Sequence, residues 1–306
     1  MRKVFLLSVI GGFIIGVAAA FFFYAGVVDR QSSQAQLSKK PGFRNLAGSQ
    51  DKLTRSKQMY GSAPVASSSA TTPSPSKRQT IRVTILNYHH VGYNPNPSGD
   101  PTLSQLTIAP EEFDKEMAWL ASHNYTTVTL DDLLAALLGQ SHLPTKPIIL
   151  TFDDGYEDFF TNAFPILSKY RIHAYEALIS DYMGKSDYLT WDQIKLMTNS
   201  GLVQLIAHTR HHKKLTELSV GEIDYEVAGS KQVIEEQTGQ SIRWFAYPYG
   251  SLNRTVVKRV QAAGFAGAIG TLEETGQSLD QLFNLRRIHV GGPFPLEKFA
   301  AIVETK

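Results

Sequence analysis

The sequence contains no cysteine among its 306 residues. That absence excludes disulfide bonds and any metal site built on thiolate ligands, so a metal ion would have to be held by His, Asp or Glu. Charged residues are also modest at 19%, while apolar residues make up 42%. This balance lets most of the chain bury a core, and the length allows one domain of ordinary size plus additional segments.

Basic charge is scarce in the larger part of the chain. Of the 30 Lys and Arg and 28 Asp and Glu residues, eleven basic and two acidic residues precede position 81, which leaves residues 81–306 with 19 basic residues, 26 acidic residues and a net charge of −7. Nucleic-acid binding needs a basic footprint, so that part is a poor candidate for this function. The basic segment before it suits an anionic surface such as lipid or a wall polymer.

Residues 4–28 form a long apolar run of 25 residues without a charge. This exceeds the ~20 residues that cross a bilayer as a helix, and two basic residues precede it. A cleaved signal peptide is the alternative, because Ala18 and Ala20 fit a small-x-small cleavage site. Since FFFY follows that site and the apolar run continues, we predict that residues 1–29 are an uncleaved membrane anchor.

Residues 30–80 are rich in Ser, Gln, Thr, Lys and Pro, as in GSAPVASSSATTPSPS at 61–76. Such a segment cannot bury enough apolar surface to fold, so we predict a disordered, flexible tether. The tether would hold the remaining part of the chain, residues 81–306, away from the membrane.

Residues 81–306 alternate strand-like apolar runs with helix-like patterns. Repeated βα units predict an α/β fold with a parallel sheet or barrel. The strand candidates are 83–88, 126–130, 147–152, 174–179, 202–207, 243–248, 265–270 and 285–290. Capping and breaking residues predict the helices between them: Pro110 opens one, Thr190 caps a second that ends near Gly201, Ser219 and Glu222 form a capping box for a third that ends at Gly239, and a fourth runs from about Asn253 to Gly264.

Polar residues follow five of the strand candidates. In βα folds the functional groups gather at the carboxyl ends of strands, and a purely structural sheet would not require metal-binding residue types there. These residues are Tyr88, His89 and His90, then Asp153 and Asp154, then His208, His211 and His212, then Tyr247, Pro248, Tyr249 and Gly250, and lastly His289.

The stretch HTRHH at 208–212 places two histidines four residues apart. On a helical turn His208 and His212 would share one face, and a carboxylate would complete a ligand set that leaves positions open for water and substrate. On spacing alone, His211 is a rival ligand. A solvated surface histidine is the ordinary alternative, but the position after a buried strand favours metal binding.

Asp153 and Asp154 end the stretch PIILTFDDG. A helix that starts near Tyr156 would need one acid as its cap, so the pair indicates more than capping. Neighbouring strand residues point to opposite faces, and therefore the two carboxylates should have different partners. A phosphatase-like site would need Asp-x-Asp on one face, which this stretch lacks.

Three motifs resemble a known family: TFDDG at 151–155, HTRHH at 208–212 and FAYPYG at 245–250. In order and spacing they look like the first three motifs of the polysaccharide deacetylases, which are the NodB homology domain of carbohydrate esterase family 4. Further stretches are similar to the branch that deacetylates poly-N-acetylglucosamine: LNYHHV at 86–91, EEFDKEMAWL at 111–120, LTWDQI at 189–194 and LRRIHV at 285–290. The resemblance implies a distorted (β/α)7-type barrel and a catalytic domain at 81–306.

The resemblance also implies a divalent metal ion. Its ligands would be Asp154, His208 and His212, and the position of Leu215 in HKKL matches the family's spacing after its second histidine, which favours His212 over His211. Zinc is the expected metal, and two histidines with an aspartate would also accept cobalt or nickel.

The same resemblance implies which groups move protons. Asp153 would be the general base that activates water, His289 would be the general acid that protonates the leaving amine, and the backbone N–H of Tyr249 would stabilise the oxyanion. Packing in the core is the ordinary alternative for Tyr247, and a surface position is the alternative for Arg287. The predicted substrate-binding residues are Tyr247, Tyr249, Arg287 and His90.

The chain departs from the family pattern in two places. The third motif often carries an arginine that orients the base, but Ala246 stands at that position, so Arg286 or Arg287 would have to compensate. No stretch matches a fourth motif with its Asp and Trp, and one wall of the substrate groove is therefore not predicted.

These observations predict a membrane-anchored, outward-facing, metal-dependent hydrolase that removes N-acetyl groups from N-acetylglucosamine units of an extracellular or cell-wall polysaccharide. One alternative is an O-acetyl esterase that acts on xylan or a wall polymer with the same site. A second alternative is a tethered glycan-binding module without catalysis, and Ala246 is the one feature in its favour.

Overall fold

The computed structural model describes residues 80–94, 99–292 and 295–304. The predicted anchor at 1–29 and the predicted linker at 30–80, apart from Thr80, lie outside these ranges, so both stay predictions. Among the described residues, no helix is both long and apolar enough to cross a bilayer.

The strands of the described residues are two to eight residues long. Their bounds are β1 Thr80–Arg82, β2 Thr84–Tyr88, β3 His90–Val91, β4 Thr107–Ile108, β5 Thr126–Thr127, β6 Pro147–Asp154, β7 Ala174–Leu178, β8 Val203–Ala207, β9 Trp244–Ala246, β10 Gly267–Ile269, β11 Gly276–Ser278 and β12 Ile288–His289. The main sheet has the order β10-β9-β8-β7-β6-β2-β12, with β5 beside β6, and all its pairs are parallel. β1 pairs antiparallel with β11, and β3 pairs with β4.

The sheet curls, because one segment, 282–290, contacts both of its edges. The N–H of Gly270, after β10, donates to the carbonyl of Leu285 at 2.8 Å. A few residues later, the N–H of Val290 donates to the carbonyl of Asn87 in β2 at 2.9 Å. A segment that contacts both sides of the sheet in this way shows that the sheet is curled into a half-barrel. The α/β class and the parallel sheet are therefore confirmed.

Helices connect the strands, and α2 and α4–α8 cover the outer face of the sheet, whereas the buried leucines of α3 pack against its inner face. Their bounds are α1 Pro101–Leu106, α2 Pro110–Ser122, α3 Leu130–Leu137, α4 Phe164–Tyr170, α5 Trp191–Asn199, α6 Val220–Thr238, α7 Arg254–Ala262 and α8 Leu296–Glu304. Local signals set several ends: Thr190 and Ser219 each form a capping box, and Gly239 ends α6 with a φ of +71°. The predicted strand at 126–130 is wrong beyond Thr127, because Thr129 accepts a hydrogen bond from the N–H of Asp132 and starts α3.

Alternating residues of the strands face two separate apolar clusters. In β2 and β6, Ile85 and Ile149 belong to the inner cluster, which the curled sheet encloses. Their neighbours Leu86 and Leu150 belong to the outer cluster between sheet and helices. Period-two alternation with both faces buried is typical of parallel sheets. The core therefore holds the strands rigidly, and the strand ends carry the polar residues.

Candidate active site

The candidate site lies at the carboxyl ends of β6, β8, β9 and β12. The strand register aligns Asp154 with Leu178 and Leu178 with Ala207, so the ends of β6, β7 and β8 lie level. Asp154 has a φ of +87°, which is uncommon for a residue with a Cβ. This sharp turn of the chain lets its carboxylate reach the histidines that follow β8, while Asp153 points along the inner face of the strand.

Asp154, His208 and His212 form a compact group. Oδ1 of Asp154 lies 3.5 Å from Nε2 of His208 and 3.2 Å from Nε2 of His212, and one ligand atom from each residue falls within 4.8 Å of the others. Nδ1 of His208 donates to the carbonyl of Ala246 at 2.9 Å, which leaves Nε2 free to face Asp154. Oδ1 of Asp154 is buried and lacks a well-formed hydrogen bond within the described residues.

This donor set fits a divalent metal ion. Two imidazole nitrogens and a carboxylate oxygen converge on one point, and the second nitrogen of His208 is held by a backbone carbonyl, as is usual for histidine ligands. Two histidines with one carboxylate leave coordination positions for water and substrate. The three residues are thus a possible metal-binding triad, and the identity of the ion stays a prediction.

The charges of the triad are strongly coupled. Burial would raise the pKa of Asp154, but hydrogen bonding and charge from His208, followed by His212, lower it overall. Burial would lower the pKa of His208, but Asp154 and Asp153 raise it above its usual value. Burial and the nearby His208 lower the pKa of His212 to about 4.

His211, the rival ligand, faces away from the triad. Its Nδ1 lies 2.9 Å from Oε1 of Glu226 on α6, and its Nε2 lies 3.3 Å from Oδ2 of Asp181. Both ring nitrogens therefore have partners outside the site. Thr209 supports this arrangement, since its Oγ1 accepts the N–H of His212 at 2.9 Å.

Asp153 is held by Arg287. The guanidinium donates to both carboxylate oxygens at 2.7 Å, and Asp153 is 4% exposed. Burial would raise the pKa of Asp153, but the charge of Arg287, followed by that of His208, holds it well below its usual range. The carboxylate is therefore ionised at neutral pH and fixed in one orientation.

Arg287 itself is fully engaged by the protein. Its remaining acceptors are Oδ1 of Asn87 at 2.9 Å, Oγ1 of Thr151 at 3.1 Å and the carbonyl of Gly270 at 2.9 Å. The side chain is 1% exposed, so it cannot reach a substrate, and the predicted substrate-binding role for Arg287 is at odds with its burial. Arg287 instead lies where it can orient Asp153, which is the role predicted for an arginine that replaces the one missing at Ala246.

Two histidines, His89 and His289, lie along the other side of the site. The rings of His89 and His289 have centroids 5.6 Å apart, and the charges of Asp153 and Asp154 act on His89. Burial lowers the pKa of His89 to about 4, and its Nδ1 has no hydrogen-bond partner within the described residues. Nε2 of His289 lies 3.1 Å from the carbonyl of Gln105.

His90, which follows His89 and was predicted to bind substrate, contacts Asp158 and Tyr156 instead. Its Nδ1 lies 2.7 Å from Oδ2 of Asp158, and its ring stacks on Tyr156 with centroids 3.7 Å apart. Burial, followed by the charge of Asp154, raises the pKa of the Tyr156 phenol above the usual range. The tandem histidines after β2 are a signal that one lines the site, but strand alternation alone does not say that it is His89.

The two tyrosines of the third motif have opposite environments. Tyr247 is fully buried in the outer cluster and donates to the carbonyl of Phe283 at 3.0 Å. A buried ring with a satisfied hydroxyl cannot stack on a substrate, so the predicted substrate-binding role of Tyr247 is not supported, whereas the packed alternative matches. Tyr249 is 61% exposed, and its ring lies 4.5 Å from that of His212 at the mouth of the site.

Glu176 in β7 is a buried acid that sequence patterns did not single out. Its Oε1 accepts the N–H of Gly155 at 2.9 Å, directly after Asp154. Burial, followed by the charge of Asp153, raises its pKa well above the usual value. A lone acid in the apolar strand AYEALI is the signal that could have found it.

Known proteins are similar to this chain in sequence. Residues 140–268 match the family model named polysaccharide deacetylase. YxkH of Bacillus subtilis (strain 168), named as a candidate polysaccharide deacetylase, is 29% identical over 225 residues, which are 73% of this chain and 77% of YxkH. The poly-β-1,6-N-acetyl-D-glucosamine N-deacetylase of Staphylococcus aureus (strain MSSA476) is 25% identical over 220 residues, which are 65% of this chain and 76% of that protein.

A solved structure has the same fold. The Streptococcus pyogenes deacetylase PplD, in complex with acetate, has a TM-score of 0.69 at 26% identity, and the match covers 74% of this chain and 100% of that chain. The matched residues 140–268 include the Asp pair and both histidines of the triad. Residues 140–268 therefore match the polysaccharide deacetylase domain, and the relatives of the chain are polysaccharide deacetylases, which are hydrolases that act on amide bonds.

Proposed function

We propose that this chain removes N-acetyl groups from N-acetylglucosamine units of an extracellular or cell-wall polysaccharide, and that a divalent metal ion is required. The observation that carries the proposal is an ionised Asp153, held by Arg287 beside the group of Asp154, His208 and His212. The similarity to an enzyme named for poly-β-1,6-N-acetyl-D-glucosamine supports the choice of sugar.

The triad would hold the metal ion. Its ligand types favour zinc, with cobalt or nickel as substitutes. When bound, such an ion polarises a carbonyl group and makes water easier to deprotonate. The protein contributes the ligand geometry, because His208 is oriented by the carbonyl of Ala246 and Asp154 by the turn that ends β6.

Asp153 would accept the proton of the attacking water. Its charge is secured by Arg287, and its orientation is fixed by two hydrogen bonds of 2.7 Å. A positioned base of this kind contributes about 10²–10⁴-fold to the rate. Arg287 thereby supplies the orienting arginine that the family's third motif often provides. Because the base has this partner, Ala246 is no longer an argument for a glycan-binding module without catalysis.

The opposite side of the site would protonate the leaving amine. His289 would be the general acid that donates this proton. The ring of His89 lies beside it, with the two ring centroids 5.6 Å apart. The backbone N–H of Tyr249, at the mouth of the site, would stabilise the developing oxyanion. Tyr249 has a φ of +56°, which turns this peptide sharply after Pro248.

We also propose that residues 4–28 anchor the chain in the cell membrane as a single span, that residues 30–80 form the tether, and that the domain faces outward as a distorted (β/α)7-type barrel. The apolar run of 25 residues supports the anchor.

The direct test is acetate release by the full chain from defined glycans, with and without a chelator. N-acetylglucosamine oligomers should release acetate, and chelation should stop it. Asp153→Asn should retain the metal content of the wild type and lose about 10²-fold or more of the rate. Full activity in Asp153→Asn would remove Asp153 from the role of base.

O-acetylated glycans distinguish the esterase alternative. An alkoxide leaves more easily than an amine, so His289→Ala should impair N-acetyl substrates more than O-acetyl substrates. Equal loss on both substrates, with higher wild-type rates on O-acetyl groups, would favour the esterase.

A further inference from the structure

We propose that Glu226 on α6 is a positioning residue that fixes the loop 208–212 and thereby places the metal ligand His212. The inference rests on the proposed function, since it assumes that the group of Asp154, His208 and His212 binds a metal ion. It assigns a role to a helix residue that no motif of the sequence includes.

The loop needs an external support because its backbone is unfavourable. Thr209 and His212 have φ values of +65° and +56°, a left-handed conformation that residues with a Cβ seldom adopt. Beyond the end of β8 at Ala207, backbone hydrogen bonds from the segment after β7 reach the carbonyls of Thr209 and Arg210 at 3.1 and 3.2 Å. His211 and His212 make no backbone–backbone hydrogen bond within the described residues. A ligand at the end of such a loop keeps its place only if surrounding groups hold the loop.

Glu226 supplies that support at three points. Its Oε2 accepts the backbone N–H groups of Arg210 and His211 at 3.0 and 2.9 Å, and its Oε1 lies 2.9 Å from Nδ1 of His211. Glu226 is 5% exposed, so these bonds are shielded from water. Two backbone contacts directly before His212 restrict the peptide that carries this ligand.

Asp181 holds the other side of the loop. It accepts from the guanidinium of Arg210, with the shortest bond at 2.7 Å, and its own N–H donates to the carbonyl of Arg210 at 3.2 Å. Gly229 lets the arginine approach α6, because a Cβ there would lie 2.9 Å from Cδ of Arg210. The loop is therefore held between α6 and the segment after β7. We call the contacts of Glu226 and Asp181 with the loop 208–212 the clamp.

The clamp also explains which histidine can serve as a ligand. The two ring nitrogens of His211 contact Glu226 and Asp181, whereas Nε2 of His212 faces Asp154. Outer partners of this kind typically matter 10–100-fold for metal affinity when they are removed. Glu226 acts through the backbone of the loop, and it does not touch the reacting atoms.

The test compares Glu226→Leu and Glu226→Gln in the full chain. Affinity for Zn²⁺ alone is measured by competition with a chelator, and the absorption spectrum of the Co²⁺-loaded protein reports the ligand geometry. Glu226→Leu should lose about 10–100-fold in Zn²⁺ affinity and change the Co²⁺ spectrum. Glu226→Gln should recover most of the affinity, because its amide oxygen still accepts the backbone N–H groups.

Glu235→Leu is the matched control. Glu235 also lies on α6 and accepts a backbone N–H, that of Ile242 at 2.9 Å, but it has no contact with the loop among the described residues. It should retain wild-type Zn²⁺ affinity. If Glu226→Leu does not fold, His211→Ala removes the side-chain tie alone and should lower Zn²⁺ affinity by a smaller factor.

Wild-type Zn²⁺ affinity and an unchanged Co²⁺ spectrum in a folded Glu226→Leu protein would overturn the clamp. The clamp is equally overturned if Glu226→Leu is unfolded and His211→Ala binds Zn²⁺ as tightly as the wild type. A wild-type chain that binds neither ion would instead contradict the proposed metal dependence, and the clamp would fall with it.

Discussion

Asp153 and Glu116 are two of the almost completely buried carboxyl groups among the described residues, and they differ in charge. Asp153 in the site is 4% exposed, and Glu116 on α2 is 1% exposed. Asp153 accepts two hydrogen bonds from Arg287, and its pKa is held well below the usual range. Glu116 accepts one hydrogen bond from the phenol of Tyr88 at 2.8 Å, and burial raises its pKa to about 8.

The difference shows that the partner, and not the burial, decides the charge. Burial acts on both groups in the same direction, since it disfavours the ionised form. A guanidinium offsets that penalty at Asp153, whereas a neutral phenol does not offset it at Glu116. The domain therefore keeps a charged base where a proton must be accepted and a neutral acid where only packing is required.

The largest effect should come from Arg287→Leu. It leaves Asp153 as a buried charge without a partner, which typically costs about 3–5 kcal/mol. Acetate release should fall as well, because the carboxylate loses its charge-stabilising and orienting partner. Urea unfolding measures the stability.

Arg286→Leu is the control for this variant. Arg286 is half-buried and pairs with Glu274 near the surface, so its loss should cost about 1 kcal/mol or less. Equal destabilisation in the two variants would show that the pair of Arg287 with Asp153 is not special.

A smaller effect, which depends on pH, should come from Glu116→Gln. The folded-state pKa of Glu116 lies above its unfolded value, so its contribution to stability is complete below about pH 4.5 and is lost as pH rises towards 8. The glutamine stays neutral throughout. The variant should gain at least about 1.4 kcal/mol relative to the wild type between pH 5 and pH 9, which corresponds to one pKa unit.

Denaturant unfolding at both pH values tests this prediction. Glu112→Gln, on the exposed side of the same helix, should change stability by no more than about 0.5 kcal/mol at either pH. A difference between Glu116→Gln and wild type that does not vary with pH would contradict a protonated Glu116.

The smallest effect should come from Tyr88→Phe. It removes one hydrogen bond to Glu116 and should cost about 1 kcal/mol at pH 5. Because the phenol favours the ionised form of Glu116, its loss should also raise the pKa of Glu116 further. The pH at which stability levels off should then move upward in unfolding experiments, and a downward move would contradict the pairing.

Much of the fold follows from local patterns. Thr190 with Gln193 and Ser219 with Glu222 mark helix starts, because a capping box involves residues only three positions apart. The apolar run 147–152 marks β6, although the strand continues to Asp154. The predicted strand at 126–130 failed because the helix cap at Thr129 competes within the same few residues.

In the candidate site, too, some features follow from local sequence patterns and others do not. Residue type and spacing indicate the histidines of HTRHH as metal-ligand candidates, and the resemblance to the family selects His208, His212 and Asp154. The structure brings these three residues together. The orientation of individual side chains is not apparent: Tyr247 is packed in the core, and His90 pairs with Asp158 while His89 lies beside His289. Because strand ends depart from regular alternation, the sequence pattern cannot decide which of two neighbouring residues, such as His89 and His90, faces the site.

By itself, then, the sequence determined the order of strands and helices, the Asp pair and the histidines of HTRHH, because these depend on neighbours along the chain. Only the tertiary structure decided that Arg287 orients Asp153, since the two residues are 134 positions apart and meet where the sheet curls. It also decided that Ala246 contributes its carbonyl to His208. A role that depends on distant strands meeting cannot be inferred from local spacing.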